Sequence, residues 1–289
     1  MLIRIGFDVL FEIPAPVPMI LMLYTHPSRW GSLPAPENIQ VSPEIPISTF
    51  TDHFGNRCGR IRAPAGQLRL WHQTIIRDCG LPDPVHADAI QWDVHALPPE
   101  AIQFLFPSRY CETDRLGEIA WNLFGNSPTG WGRAQAVCDW VHNNVQFGYE
   151  FARPTKTAFE VYQERRGVCR DFSHLFITFL RCLNIPARYV TGYLGDIGVP
   201  SSPDPMDFSA WTEVFLDGRW YTFDARHNTP RIGRVVMARG RDAADVAITT
   251  SFGPARLVKF NVITDEIPLD EDPSQMPRTA GFAPAVIGQ

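Results

Sequence analysis

Cys169 sits where a thiol can serve as a nucleophile. It lies in Gly167-Val168-Cys169-Arg170-Asp171-Phe172-Ser173-His174-Leu175, after the charged run Glu164-Arg165-Arg166 and ahead of an apolar periodic segment. Val168, Phe172, Leu175, Phe176, Phe179, Leu180 and Leu183 recur at the spacing of one buried helix face. Asn184 and Pro186 then supply stop signals. Cys169 therefore falls in the first turn, where unpaired N–H groups and the positive end of the dipole favour a thiolate. A thiolate is the attacking species in cysteine catalysis. The structural alternative is a core cysteine that happens to begin a helix.

A second cluster lies downstream, on Phe208–Leu216, Asp217-Gly218 and Arg219–Asp224. Asp-Gly between two alternating stretches is a strong hairpin signal. A two-residue turn pairs Leu216 with Arg219. Counting outward, Trp211 faces Asp224 and Ser209 faces Arg226, so all four share one sheet face, with Ser209 and Asp224 as diagonal neighbours. His227 follows Asp224 by three, and strand parity puts it on the other face unless the chain bends after Arg226. His174, five residues beyond Cys169, is roughly 140° round the helix and reads as a packed core histidine. His142 belongs to an earlier helix. Arg226 either brings a cation near Cys169, holding a thiolate without any histidine, or is an exposed strand-end arginine. Asp207 reads as a loop residue, Glu213 as an ion-pair partner, and Trp211 as a wall of the cleft. Cys169, Asp171 and His174 do not make a zinc site, and neither metal nor cofactor is expected.

The elements that must carry these residues divide by period. Residues 1–80 alternate as strands, with Ile3, Ile5, Phe7 and Val9 on one face and an expected hairpin around Ala63-Pro64-Ala65-Gly66. A small all-β, sandwich-like domain is the reading. Residues 81–113, with Pro82, Pro84, Pro98, Pro99 and Pro107, form a proline-rich connection. From Asp114 the period becomes helical, and Thr157-Ala158-Phe159-Glu160 fits a capping box. Four helices precede strands at 187–194, the hairpin, 245–250 and 257–264, an order that argues α+β over residues 114–264. Residues 265–289 read as a disordered tail.

Composition narrows the partners. With 45% hydrophobic and 20% charged residues the chain is that of an ordinary globular protein, and a net charge of −5 gives no reason to expect nucleic acid or an anionic membrane. The six cysteines show no C-x-x-C pair, so neither a disulfide framework nor a zinc pattern. No apolar run reaches membrane-span length, and Val17–Tyr24 lacks the flanks of a signal peptide. The expected setting is cytoplasmic.

R-x-G-V-C-R-D-F, N-I-P-A-R-Y-V-T-G-Y, S-A-W-T-E-V-F and G-R-W-Y-T-F-D, in that order over residues 114–264, resemble the transglutaminase-like superfamily, and within it bacterial members labelled cysteine proteases. The resemblance implies a papain-like core with a Cys–His–Asp triad acting on amide bonds through a Cys169 thioester. It further implies peptide or protein substrates, including glutamine-bearing ones. Motif matches put the nucleophile at Cys169 and the orienting carboxylate at Asp224. The family histidine of H-A-W is replaced by Ser209, which cannot move a proton as imidazole does. The alternative is a catalytically inactive peptide-binding module on the same fold.

Overall fold

The computed structural model describes residues 1–202 and 205–268. In chain order its strands and helices are β1 (Leu2–Ile13), β2 (Val17–Leu21), β3 (Gln40–Ser42), β4 (Ser48–Thr51), β5 (Arg57–Ala63), β6 (Gly66–Arg77) and α1 (Pro99–Ile102). Next come α2 (Thr113–Phe124), α3 (Trp131–Asn144), β7 (Gln146–Phe147), α4 (Ala158–Glu164), β8 (Arg166–Gly167) and α5 (Cys169–Cys182). The chain continues with β9 (Ala187–Tyr193), β10 (Ser209–Leu216), β11 (Arg219–Phe223), β12 (Val235–Gly240), β13 (Thr249–Ser251) and β14 (Arg256–Ile267). This is the expected α+β fold, an all-β sandwich followed by a helical and mixed body.

The sandwich differs from expectation in its wiring. Its two sheets have the orders β14-β1-β6-β3 and β13-β2-β5-β4, and Ile5, Phe7, Leu21, Ile61, Leu68 and Val262 meet in their shared core. β5 and β6 are not a hairpin. β5 pairs with β2 and β4, while β6 pairs with β1 and β3. Pro64 brings no N–H to a turn, and Gly66 at φ 107° lets the chain step from one sheet to the other.

The strand expected at 257–264 exists, but β14 runs antiparallel to β1 from Leu2↔Ile267 to Glu12↔Arg256. β13 likewise pairs with β2. The boundary drawn at residue 264 therefore cuts through a strand of the sandwich, and the α+β body ends before β13. Period-two alternation identifies a strand but says nothing of its partner. Asp265, Glu266 and Ile267 complete β14, while residues 269–289 of the expected tail lie outside the described residues.

In the α+β body, α5 packs against α2, α3 and α4 on one side and against β9 and β10 on the other. Phe172, Leu175, Phe176, Phe179 and Leu180 fill that interface, each burial worth roughly 1.5–3 kcal/mol. The sheet order is β11-β10-β9-β12. Asp217 (φ 47°) and Gly218 (φ 77°) make the tight turn between β10 and β11, and Leu216 pairs with Arg219 as expected. At α4 the capping box forms as read: Thr157 Oγ1 accepts from the Glu160 N–H, and Glu160 accepts from the Thr157 N–H at 2.8 Å. β12 was not foreseen. The proline-rich connection wraps this body, its Ala89 and Ile90 carbonyls accepting from the N–H groups of Trp131 and Asp217 at 2.9 Å each.

Candidate active site

Cys169 is the first residue of α5, after an extended Val168 (φ −105°, ψ 176°). The Val168 N–H donates to Asp171 Oδ2 at 3.0 Å, and the Arg170 guanidinium holds Asp171 Oδ1 at 2.9 Å. The turn bearing the thiol is thus tied down by its own charged residues. The expected depression of its pKa is not found. Burial pushes the thiol up from 9.0 to about 11, and the Asp207 carboxylate adds to it. Arg226 and a hydrogen bond from the Ala210 backbone oppose this without reversing it. A helix dipole contributes about 0.3–1 kcal/mol, whereas that rise corresponds to about 3 kcal/mol. Desolvation wins, so Cys169 rests as a thiol and needs a base beside it.

A base is brought by the turn after β11. The β10–β11 ladder runs only from Leu216↔Arg219 to Thr212↔Phe223, so Ser209 and Arg226 do not pair across it. The chain bends at once. The Asn228 N–H donates to the Asp224 carbonyl at 2.7 Å, and the Arg226 and His227 N–H groups both donate to Asp224 Oδ1 at 3.1 Å. This compact turn folds His227 back onto the carboxylate, Nδ1 to Oδ2 at 2.9 Å. With Nδ1–H donating to Asp224, Nε2 is left as the proton acceptor. His142 does not enter the cleft; its Nδ1 lies 3.0 Å from the Arg226 carbonyl and braces the turn from α3.

Asp224 also accepts from Arg234 Nη2 at 2.9 Å, and Arg234 Nε donates to Asp83 Oδ2 at 2.8 Å. Burial alone raises the Asp224 carboxyl, but Arg234 and His227 overcome it and hold it well below the usual carboxylate range. An ionised, fully desolvated carboxylate orienting an imidazole is the arrangement a thiol–imidazole pair requires. Arg234 and Asp83 were missed in the sequence because one lies on the loop before β12 and the other in the proline-rich connection. No short-range pattern joins them to Asp224.

Cys169, Asp207, Ser209, Arg226 and His227 line one small cavity of about 50 Å³. A second cavity, of about 400 Å³, shares Cys169, Asp207 and Ser209 with it and extends the other way. Cys169 therefore stands at the junction of the two.

Three comparisons bear on this geometry. The family model of the transglutaminase-like superfamily matches residues 118–225. A crystal structure of a candidate cysteine protease from Cytophaga hutchinsonii is 32% identical, with a TM-score of 0.80 over 94% of this chain and 93% of that one. The chain belongs to the transglutaminase-like superfamily. An uncharacterised protein of Mycobacterium leprae is 28% identical over 116 residues, 39% of this chain and 41% of that protein. The kyphoscoliosis peptidase of Homo sapiens is 23% identical over 155 residues, 48% of this chain and 23% of its own length. The chain thus matches less than half the length of either curated relative.

Within this transglutaminase-like site, Ser209 stands at the family's histidine position. It opens β10, pairs with Gly192 of β9 and lines both cavities. Trp211, expected as a cleft wall, is 1% exposed and packs with Val190 and Val236 under the Arg234 guanidinium, 5.0 Å from its ring. Arg226 is half-buried, its guanidinium 3.7 Å over the Phe147 ring. Glu213 is held between Arg188 and Arg239. His174 stacks on Tyr110 and accepts from the Ala243 N–H at 3.1 Å, a neutral core residue whose basicity burial lowers strongly. Asp207, read as an ordinary loop residue, is half-buried in the cleft, and desolvation pushes its carboxyl up to about 6 against the Phe208 N–H and Arg226. The local signal was Asp-Phe-Ser entering a buried strand. Among the described residues no cluster of His, Cys, Asp and Glu suits a metal, and no helix is long and apolar enough to cross a membrane.

Proposed function

We propose that the protein is an amide-directed cysteine enzyme in which His227, not residue 209, is the general base for Cys169. The observation that carries this reading is the 2.9 Å contact of His227 Nδ1 with Asp224 Oδ2, on a turn that lines the same cavity as Cys169. His227 Nε2 takes the thiol proton, and the sulfur attacks the substrate carbonyl. The imidazolium then protonates the departing amine as the C–N bond breaks, leaving a thioester on Cys169. Water or a second amine resolves it, its proton again passing to His227. A thiol at about 11 is a poor nucleophile alone; transfer of its proton to an adjacent imidazole removes that handicap. Peptide or protein amides are the proposed substrates, in a cytoplasmic setting.

The second reading is a peptide-binding module without turnover, favoured by Ser209 at the family's histidine position. A panel of peptide amides separates the two. Under the first reading the parent is active, His227→Ala loses about 10²–10⁴ in rate, and Ser209→His adds little. An inactive parent that gains activity in Ser209→His supports the module.

A further inference from the structure

The two cavities that meet at Cys169 differ in chemistry, and proton bookkeeping decides which half of a substrate each takes. His227 must reach the leaving nitrogen to protonate it, so the amine side lies in the small cavity. That cavity is also lined by Asp196, Asp207, Arg226 and Arg231. The acyl side then extends into the other cavity, of about 400 Å³, which contains neither His227 nor Arg226. We infer that this larger cavity is an acyl-side specificity pocket for a bulky apolar side chain, aromatic or branched aliphatic. The inference rests on the His227 reading of the preceding section and deepens it by naming the substrate class.

The lining carries the argument. Ala152, Ala243 and Ala247 leave the space open, while Val246, Ile248 and Phe260 supply apolar walls. Phe260 belongs to β14 and packs edge-on against Phe208, ring centroids 5.7 Å apart. The sandwich thus contributes a wall of the pocket. Two cations also border it, but neither is free to recruit an acid. Arg170 is bound to Asp171 and to the Arg153 carbonyl, and Arg153 is paired with Glu160 and Glu164. Asp207, at the junction, disfavours an acidic substrate further. Tyr149, Tyr189, Thr191 and Ser209 also line the pocket, but apolar walls predominate, so a glutamine side chain lodged there sets its amide largely against carbon, which costs binding.

The test uses the full chain and acetyl-aminoacyl chloromethyl ketones with Phe, Leu, Gly, Gln, Glu and Lys side chains. The rate of Cys169 labelling is read by intact mass and peptide mapping, beside iodoacetamide as a probe without a side chain. The Phe and Leu probes are expected to label about 10–100-fold faster than the Gly, Gln and Glu probes. Ala247→Trp should erase that advantage, the Phe and Leu probes falling to the rate of the Gly probe in the same variant. Ala152→Trp, at an exposed rim position that does not enter the core, should reduce it without affecting folding. A flat series, a fastest Gln, Glu or Lys probe, or an unchanged preference in both variants overturns the inference. Failure of the underlying base reading has a different signature: iodoacetamide rates equal in the parent and His227→Ala.

Discussion

Two aspartates act on the thiol, Asp224 and Asp207, and their surroundings push them in opposite directions. Asp224, on the turn after β11, is met by the Arg234 guanidinium, His227 and two backbone N–H groups. Asp207, on the approach to β10, has a backbone hydrogen bond from Phe208 and only the field of Arg226. Both pay a desolvation cost; only Asp224 has partners close enough to exceed it. The charge of a desolvated carboxyl is thus decided by the number and geometry of its donors. The turn is built to keep a permanent anion beside His227, while the approach to β10 carries a carboxyl that gains a proton near pH 6.

Removing the cation that defines this contrast should have the largest effect. Arg234→Met leaves Asp224 buried without its main partner, a loss of about 3–5 kcal/mol. Thermal melts at pH 7 should fall by roughly 10 °C. Because a depressed carboxylate stabilises the fold above its unfolded value and loses that contribution only as pH drops through the folded value, the deficit should shrink in strong acid. A melting point within 2 °C of the parent at pH 7 contradicts the Arg234–Asp224 account.

Asp207 has the opposite sign. Its folded value of about 6 exceeds the unfolded one near 3.8, so the ionised group costs stability above pH 6 and the cost fades as pH falls toward 4. Asp207→Asn should therefore stabilise at pH 7 by on the order of 1–3 kcal/mol and converge with the parent near pH 4. Destabilisation at pH 7, or a gain independent of pH, removes Asp207 from the contrast. The smallest expected effect is at the far end of the turn's support. Asp83→Asn keeps an acceptor for the Arg231 N–H but weakens the contact to Arg234, costing about 1 kcal/mol in denaturant melts. A loss as large as that of Arg234→Met would mean Asp83, not Asp224, is the main partner of the guanidinium.

How much of this the chain disclosed follows the range of the interactions. The α5 start at Cys169, the Thr157 capping box and the Leu216–Arg219 register rest on neighbours a few residues apart, and all were legible. The Asp224–His227 contact is local too, but strand parity misdirected it because β11 stops at Phe223 rather than running on to Arg226. What was not legible depends on contacts distant in sequence. The pairing of β14 with β1, the reach of Asp83 to Arg234, the desolvation of Asp207 and the burial of Trp211 are fixed by packing, which period and propensity do not encode. The depressed thiol inferred from the helix start failed for the same reason: burial, invisible in the sequence, outweighed the dipole.

The most direct test of His227 as the base is the iodoacetamide rate of Cys169 at pH 7, followed by peptide mapping, in the parent, His227→Ala and Ser209→Ala. A thiol at about 11 holds only ~10⁻⁴ of its population as thiolate at that pH, so the rate reports the base. His227→Ala should slow labelling at least about tenfold, with Ser209→Ala within about twofold of the parent and all three melting alike. An unchanged rate in His227→Ala, or an equal loss in Ser209→Ala, contradicts His227 as the base.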